Sequence, residues 1–131
     1  MFERIYSLKI FEGIEKDTIK KIINECEVRE YSDGEIIIME GENSNGEGYI
    51  IKSGNVEIII GGKRVAELGT GDIFGEIALL NEESRTATVR ATRDLKVFVL
   101  NIDHLMELIN NGSNLINKTI LSRIEENLIR D

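Results

Sequence analysis

The amino-acid sequence predicts an α+β, mainly β domain: an antiparallel, jelly-roll-like β-roll of about eight strands, with an N-terminal helix and two C-terminal helices. Three observations predict it. All the glycines except Gly13 and Gly112 fall between Gly34 and Gly75. Within that region, and again after it, short Ile/Val-rich runs alternate with turn residues at the spacing of antiparallel strands. Apolar stripes of helical period flank the block on both sides.

The strands are expected at Glu35–Met39, Tyr49–Lys52, Asn55–Ile60 and Lys63–Leu68, then at Thr86–Ala91 and Leu95–Leu100. Ser53-Gly54 and Gly61-Gly62 read as tight hairpin turns, because glycine accepts the positive φ such turns need. Val56, Ile58 and Ile60 alternate with Glu57 and Ile59, which gives one apolar face and one mixed face. The polar run Glu42-Asn43-Ser44-Asn45-Gly46-Glu47-Gly48 is expected to be a mobile loop between strands.

Before the roll, Ile19, Ile22, Ile23 and Cys26 recur at i, i+3, i+4 and i+7, a helical stripe starting near Asp17 or Thr18. After it, Ile102 to Asn111 reads as a short helix capped by Asp103, with Leu105, Leu108 and Ile109 facing inward. Gly112 ends that helix and Ser113 caps another. On the last helix, Ile116, Ile120, Leu121, Ile124 and Leu128 share one arc that Asn117 and Asn127 interrupt. That arc either packs on the roll, closes as a lid, or forms half of a homodimer seam, where a buried Asn would set register.

Composition narrows the function classes. The chain has 131 residues, 41% of them hydrophobic and 31% charged, which suits one globular domain. No run approaches the roughly 20 apolar residues of a membrane span. Residues 1–10 carry Glu3, Arg4 and Lys9, unlike a signal peptide, so a cytoplasmic setting is expected. The net charge of −8 comes with dispersed basic residues, so nucleic acid is not an expected partner. A single cysteine rules out an internal disulfide and a cysteine-based zinc site, and Cys26 reads as a buried structural thiol. His104 is the only histidine and is expected at the surface or at a helix cap. One histidine and a cysteine distant in sequence do not supply the ligands of a metal-dependent jelly-roll enzyme. No nucleophile has a base partner at a recognised spacing, so an enzyme is not expected.

The stretch Gly71-Asp72-Ile73-Phe74-Gly75-Glu76-Ile77-Ala78-Leu79-Leu80, followed by Arg85-Thr86-Ala87-Thr88-Val89, concentrates groups suited to a phosphorylated sugar. Gly75 lets the backbone approach a ligand and opens a helical turn over Glu76–Leu80, whose N–H groups form an anion cradle. Arg85 supplies a planar, permanently charged fork for phosphate oxygens. Thr86 adds a hydroxyl donor, and Glu76 can accept from a sugar hydroxyl. Other readings stay open for each residue alone. Phe74, Ile77 and Leu80 fit a core, Arg85 fits an ion pair on a solvated face, and Glu76 fits the helix dipole.

Taken together, the segment resembles the phosphate-binding cassette of cyclic nucleotide-binding domains. The pattern F-G-E-x-A-L-L-x-x-x-x-R-T-A-T-V is filled at every fixed position from Phe74 to Val89. Phe11-Glu12-Gly13-Ile14, Tyr31-Ser32-Asp33-Gly34-Glu35, Glu40-Gly41-Glu42 and Tyr49-Ile50-Ile51-Lys52-Ser53-Gly54-Asn55-Val56 resemble further signatures of that family. Gly48 departs from it, since an apolar residue is usual there. The resemblance implies one domain: helical residues 1–26, a β-roll over 27–101 with the cassette at 74–89, and C-terminal hinge and lid helices over 102–131. It implies that Arg85 holds the cyclic phosphate and Glu76 the ribose 2′-hydroxyl. Phe74, Gly75, Ile77, Ala78, Thr86, Ala87 and Val65 would complete the site. No aromatic residue follows Phe98 to stack on the base, so Arg123, beside the apolar arc, is the expected base contact. The implied ligand is a 3′,5′-cyclic nucleotide, with cAMP favoured and Thr86 keeping cGMP open, and no further cofactor. The implied role is a regulatory sensor acting on a protein effector or a fused effector domain. The alternative is the same fold without a ligand, serving as an interaction scaffold. No helix-turn-helix, kinase, channel or cyclase segment is expected within these 131 residues.

Overall fold

A computed structural model describes residues 3–43, 46–75 and 85–118. Three short helical elements come first: α1 (Glu3–Tyr6), a 3-10 turn (Lys9–Phe11) and α2 (Lys16–Glu25). Eight strands follow: β1 (Glu27–Tyr31), β2 (Ile36–Ile38), β3 (Gly48–Ser53), β4 (Val56–Ile60), β5 (Lys63–Leu68), β6 (Ile73–Phe74), β7 (Thr88–Ala91) and β8 (Leu95–Leu100). Helix α3 (Ile102–Asn110) comes next, and residues 114–118 are helical again. The strands form two four-stranded antiparallel sheets, ordered β1-β8-β3-β6 and β2-β7-β4-β5.

Two cores follow from the alternation of side chains along the central strands. Tyr49 and Ile51 of β3, with Val97 and Val99 of β8, face the second sheet and meet Ile38, Val56, Val89 and Ala91. Ile50, Phe98 and Leu100 point the other way, onto Ile5, Phe11, Ile19, Ile22, Leu108 and Ile116 of the helical layer. Covered on both faces, β3 and β8 read as continuous apolar runs rather than alternating ones. The expected stripe Ile19, Ile22, Ile23 and Cys26 is buried in the helical core.

Several expectations are corrected. Gly61-Gly62, by contrast, joins β4 to β5 as the expected hairpin, with both residues at positive φ. Ser53-Gly54 makes no hairpin, because β3 and β4 belong to different sheets. That turn is a corner, where a Cβ on Gly54 would stand 2.4 Å from the Asp94 carbonyl oxygen. On the mixed face of β4, Glu57 is 8% exposed, and Arg90 and Arg64 pair with it from neighbouring strands. Ile60, expected on the apolar face, is exposed at the strand end. The loop before β3 is anchored at Glu47, while Ser44 and Asn45 lie outside the described residues. The arc from Ile120 to Leu128, and with it the lid and homodimer readings, also lies outside them.

Helix α3 is capped by Asn101, not Asp103. The Asn101 side chain accepts from the His104 N–H at 3.1 Å, and the Asn101 N–H donates to His104 Nδ1 at 3.0 Å. His104 is therefore a capping residue, but a buried one, 6% exposed. Accepting at Nδ1 places the neutral ring's proton on Nε2, 3.7 Å from Cys26 Sγ. Far apart in sequence, this histidine and cysteine thus meet in the helical core. The thiol in turn lies 3.2 Å from the Ile22 carbonyl, within reach to donate to it.

Burial first, then the charges of Glu107 and Glu25, push the Cys26 pKa from 9.0 up to about 12. The folded state thus favours the neutral thiol. That contribution to stability is intact below pH 9.0 and is lost as pH rises toward 12. Because the thiolate is the reactive species, iodoacetamide should modify folded Cys26 at least about a hundredfold more slowly than the denatured chain near pH 8. Mass spectrometry of timed samples measures the ratio, and equal rates would contradict the burial.

Candidate functional site

The site is built where β3 and β6 pair, with Tyr49 opposite Phe74. Their rings stack at 5.1 Å between centroids, inclined by 22°. Phe74 is buried, so it is core and site wall together. At the end of β6 the chain turns at Gly75, φ +72°. A Cβ there would stand 3.0 Å from Arg85 Nη1, 3.0 Å from Ile38 Cδ1 and 3.4 Å from Tyr49 Cδ2. Conformation and crowding both call for glycine at this position.

Arg85 closes the same corner from the other side. Its backbone N–H donates to the Glu42 carbonyl and its own carbonyl accepts from the Gly41 N–H, each at 2.8 Å. Its side chain donates from Nη1 to the Gly75 carbonyl at 3.1 Å and from Nη2 to the Glu47 carbonyl at 2.9 Å. The residue is only 9% exposed. A guanidinium is costly to bury unless its donors are satisfied, and these two carbonyls fix the plane of the fork. The structure thus sets Arg85 beside the Gly75 turn, as the sequence pattern expects, rather than on a solvated face.

Glu47 is the residue that sequence reasoning passed over. Its carboxylate takes two hydrogen bonds from Arg29, at 2.9 and 3.1 Å, and one from the Tyr49 hydroxyl at 2.8 Å. Arg29 holds the Glu47 carboxyl below its ordinary range against the opposing effect of burial, with Tyr49 and the Arg85 charge adding to it. The one sequence signal for this cluster is that Glu47 and Tyr49, two apart at the start of β3, fall on one side of the strand. Nothing in the spacing links Arg29 to Glu47.

The other expected residues divide. Thr86 is exposed just before β7, and Ala87 is half-buried. Val65 lies on β5, the edge strand of the second sheet, and is 57% exposed. Glu76, Ile77, Ala78 and Arg123 lie outside the described residues. Among the described residues no group of three His, Cys, Asp or Glu side chains could hold a metal ion, and no helix is long and apolar enough to cross a membrane. Chemically, a buried five-donor fork beside a glycine-dependent turn suits a tetrahedral oxyanion.

Comparison with known proteins agrees with this geometry. The family model of the cyclic nucleotide-binding domain matches residues 28–111, and the chain belongs to that family. It is 38% identical over 101 residues to a cGMP-dependent protein kinase of Eimeria tenella, covering 76% of this chain and 10% of that protein. It is 34% identical over 99 residues to a cAMP-dependent protein kinase regulatory subunit of Hypocrea atroviridis, covering 76% and 21%. The chain therefore spans a small part of these relatives' lengths. The solved structure of cAMP-bound PfPKA-R (141–441) superposes with a TM-score of 0.71 at 27% identity, covering 81% of this chain and 39% of that one. The β-roll class and the family resemblance expected from sequence both hold.

Proposed function

We propose that this chain is a regulatory module that binds a 3′,5′-cyclic nucleotide through the Gly75–Arg85 corner and reports occupancy through its C-terminal helices. The observation that carries the reading is the Arg85 guanidinium, buried and oriented by the Gly75 and Glu47 carbonyls within a family-matched pattern. In this reading Arg85 holds the cyclic phosphate. Glu76 accepts from the ribose 2′-hydroxyl, and backbone groups of Gly75, Ile77 and Ala78 surround both. Phe74, Val65, Thr86 and Ala87 shape the walls and Arg123 meets the base. The relatives include both a cAMP-dependent and a cGMP-dependent kinase protein, so both nucleotides stay in view, with cAMP the favoured ligand. The module is not an enzyme, a reading supported by the match of residues 28–111 to a binding-domain model, and it takes no nucleic acid, a reading supported by its net charge of −8. A cytoplasmic setting belongs to the same reading.

Reporting is supported by how the C-terminal segment is bolted down. Ser113 Oγ donates to the Ile10 carbonyl at 2.7 Å, and the Asn114 N–H donates to the Glu12 carbonyl at 3.0 Å. The hinge after α3 and the N-terminal helical turn are therefore one mechanical unit. A ligand that favours one placement of that unit shifts its population, and a protein effector or a fused effector domain reads the shift.

The test is thermal unfolding with and without cAMP or cGMP. Ligand at roughly a hundred times its dissociation constant stabilises by about 2.7 kcal/mol, several degrees for a domain of this size. Hydrogen exchange over residues 102–118 in the same samples should change on saturation. No shift with either nucleotide, once co-purified ligand is removed, would instead favour a ligand-free interaction scaffold.

A further inference from the structure

We propose that the helical layer holds a separate ligand site, a cavity between α1, α2 and β8 that takes the apolar chain of an alkyl carboxylate. The carboxylate is anchored at Lys20, with the ammonium groups of Lys16 and Lys52 each over the ring of a wall residue. This site does not depend on the role of Arg85.

The cavity has a volume of about 300 Å³ and is lined by Ile5, Tyr6, Lys20, Ile23, Asn24 and Phe98. Lys20, Ile23 and Asn24 share one face of α2, at i, i+3 and i+4. Ile5, Ile23 and Phe98 are buried, whereas Lys20 and Asn24 are exposed, so the cavity meets solvent at its polar residues. Successive residues of β8 face opposite sides of the sheet. Phe98 therefore points into the helical layer, away from the Tyr49–Phe74 stack beside the Gly75–Arg85 corner. Val28 of β1 stands directly opposite Phe98, on the same side of the sheet, and is 44% exposed. Protein interiors leave few voids larger than a water molecule. An apolar hollow with a polar edge is instead the usual form of a small-molecule site.

The edge is basic in a chain whose net charge is −8. Lys20 lines the cavity itself. The Lys16 ammonium lies 5.2 Å from the centroid of the Tyr6 ring, and that of Lys52 lies 5.7 Å from the centroid of the Phe98 ring. Among the described residues none of the three lysines takes part in an ion pair. Lys16 and Lys20 are also four apart on α2, a spacing at which like charges destabilise a helix. An anion near them relieves that repulsion.

The mixture of walls and charges sets the ligand class. A neutral apolar molecule would use the walls and leave the ammonium groups unanswered. A small polar anion would use the charges and leave the walls wet. An alkyl carboxylate answers both, and the Asn24 amide adds a donor for its second oxygen. The volume stands at the small end of the range for ligand sites, which suits a single chain of medium length.

The experiment is calorimetric titration of hexanoate, octanoate and decanoate into the whole chain at neutral pH. Each should bind at one site, with affinity rising about fourfold for every methylene that enters the cavity. Lys16→Gln, Lys20→Gln and Lys52→Gln together should weaken decanoate by at least about threefold, the low end for three exposed ion pairs. Asn24→Trp, at an exposed position, puts an indole into the cavity and should abolish binding while the fold still melts cooperatively. If that variant does not fold, methyl spectra of the parent decide the location: decanoate should shift Ile5 and Ile23 and spare Ile38, which lies between the two sheets.

Absence of saturable decanoate binding overturns the proposal, as does an affinity that ignores chain length or the lysine substitutions. Methyl shifts that spare Ile5 and Ile23 overturn it too. Capture of the chain by phosphatidylglycerol vesicles without decanoate binding would assign the lysines to a membrane surface, and that result also overturns it.

Discussion

Arg85→Ala should weaken cyclic-nucleotide binding by about 2–5 kcal/mol, the cost of truncating one partner of a buried, hydrogen-bonded charge pair. The low end of that range is already about thirtyfold in dissociation constant. The loss is large because the guanidinium is pre-oriented: the Gly75 and Glu47 carbonyls hold its plane before ligand arrives. Binding therefore requires little further ordering of that side chain, and little affinity remains once it is cut away. Folding should respond differently. A buried charge held by carbonyls is no large source of stability, because its desolvation offsets much of its hydrogen bonding. The ligand-free variant should thus melt within a few degrees of the parent, while the nucleotide-induced shift disappears. Titration calorimetry beside thermal unfolding separates the two effects. An affinity change below about threefold, well short of the cost of a lost charge partner, would remove Arg85 from the phosphate role.

How much of this was legible in the sequence depended on whether the signal was periodic. The stripe from Ile19 to Cys26 and the runs Tyr49–Ile51 and Val97–Leu100 were readable because burial repeats along an element. Strand β6 has only Ile73 and Phe74, too short for any period to register. Strand β1, Glu27–Tyr31, alternates charged residues with Val28 and Tyr31 and carries little apolar weight. The burial of Glu57 was not legible, because it is paired by Arg90 and Arg64 on the two flanking strands, cations whose register with β4 no local pattern announces. The capping pair Asn101–His104 lost to Asp103 because both are acceptable helix-start residues and only the backbone path decides between them.

At the site the same division holds. Phe74, Gly75 and Arg85 were legible as one linear pattern, and the structure brings Gly75 and Arg85 within hydrogen-bonding distance. Arg29 was invisible for the opposite reason. It reaches Glu47 across the fold from β1, and a lone arginine on a strand among acidic residues has the sequence appearance of a solvated surface residue. What the structure adds is that its guanidinium holds the Glu47 carboxylate at two points, in the residue whose carbonyl accepts from Arg85.

Gly75→Ala carries the second large effect, and it is separable from ordinary strain. An alanine at φ +72° costs roughly 1–2 kcal/mol for the left-handed backbone. Gly34 offers the control, since it sits at φ +88° with nothing within 4 Å of where a methyl would stand. Gly34→Ala should therefore lose stability by a similar amount and leave nucleotide affinity nearly unchanged. At Gly75 the added methyl also arrives 3.0 Å from Arg85 Nη1 and 3.0 Å from Ile38 Cδ1, tighter than a relaxed contact. Of the two neighbours the arginine tip gives way more readily, because Ile38 is packed in the core between the sheets. Giving way means breaking the Nη1 bond to the Gly75 carbonyl and rotating the fork out of its plane. Affinity should then fall by at least about tenfold while the melting temperature matches that of Gly34→Ala. Equal affinities for the two variants would show that the Gly75 turn serves only the fold, and that Arg85 reaches its ligand without the Gly75 clamp.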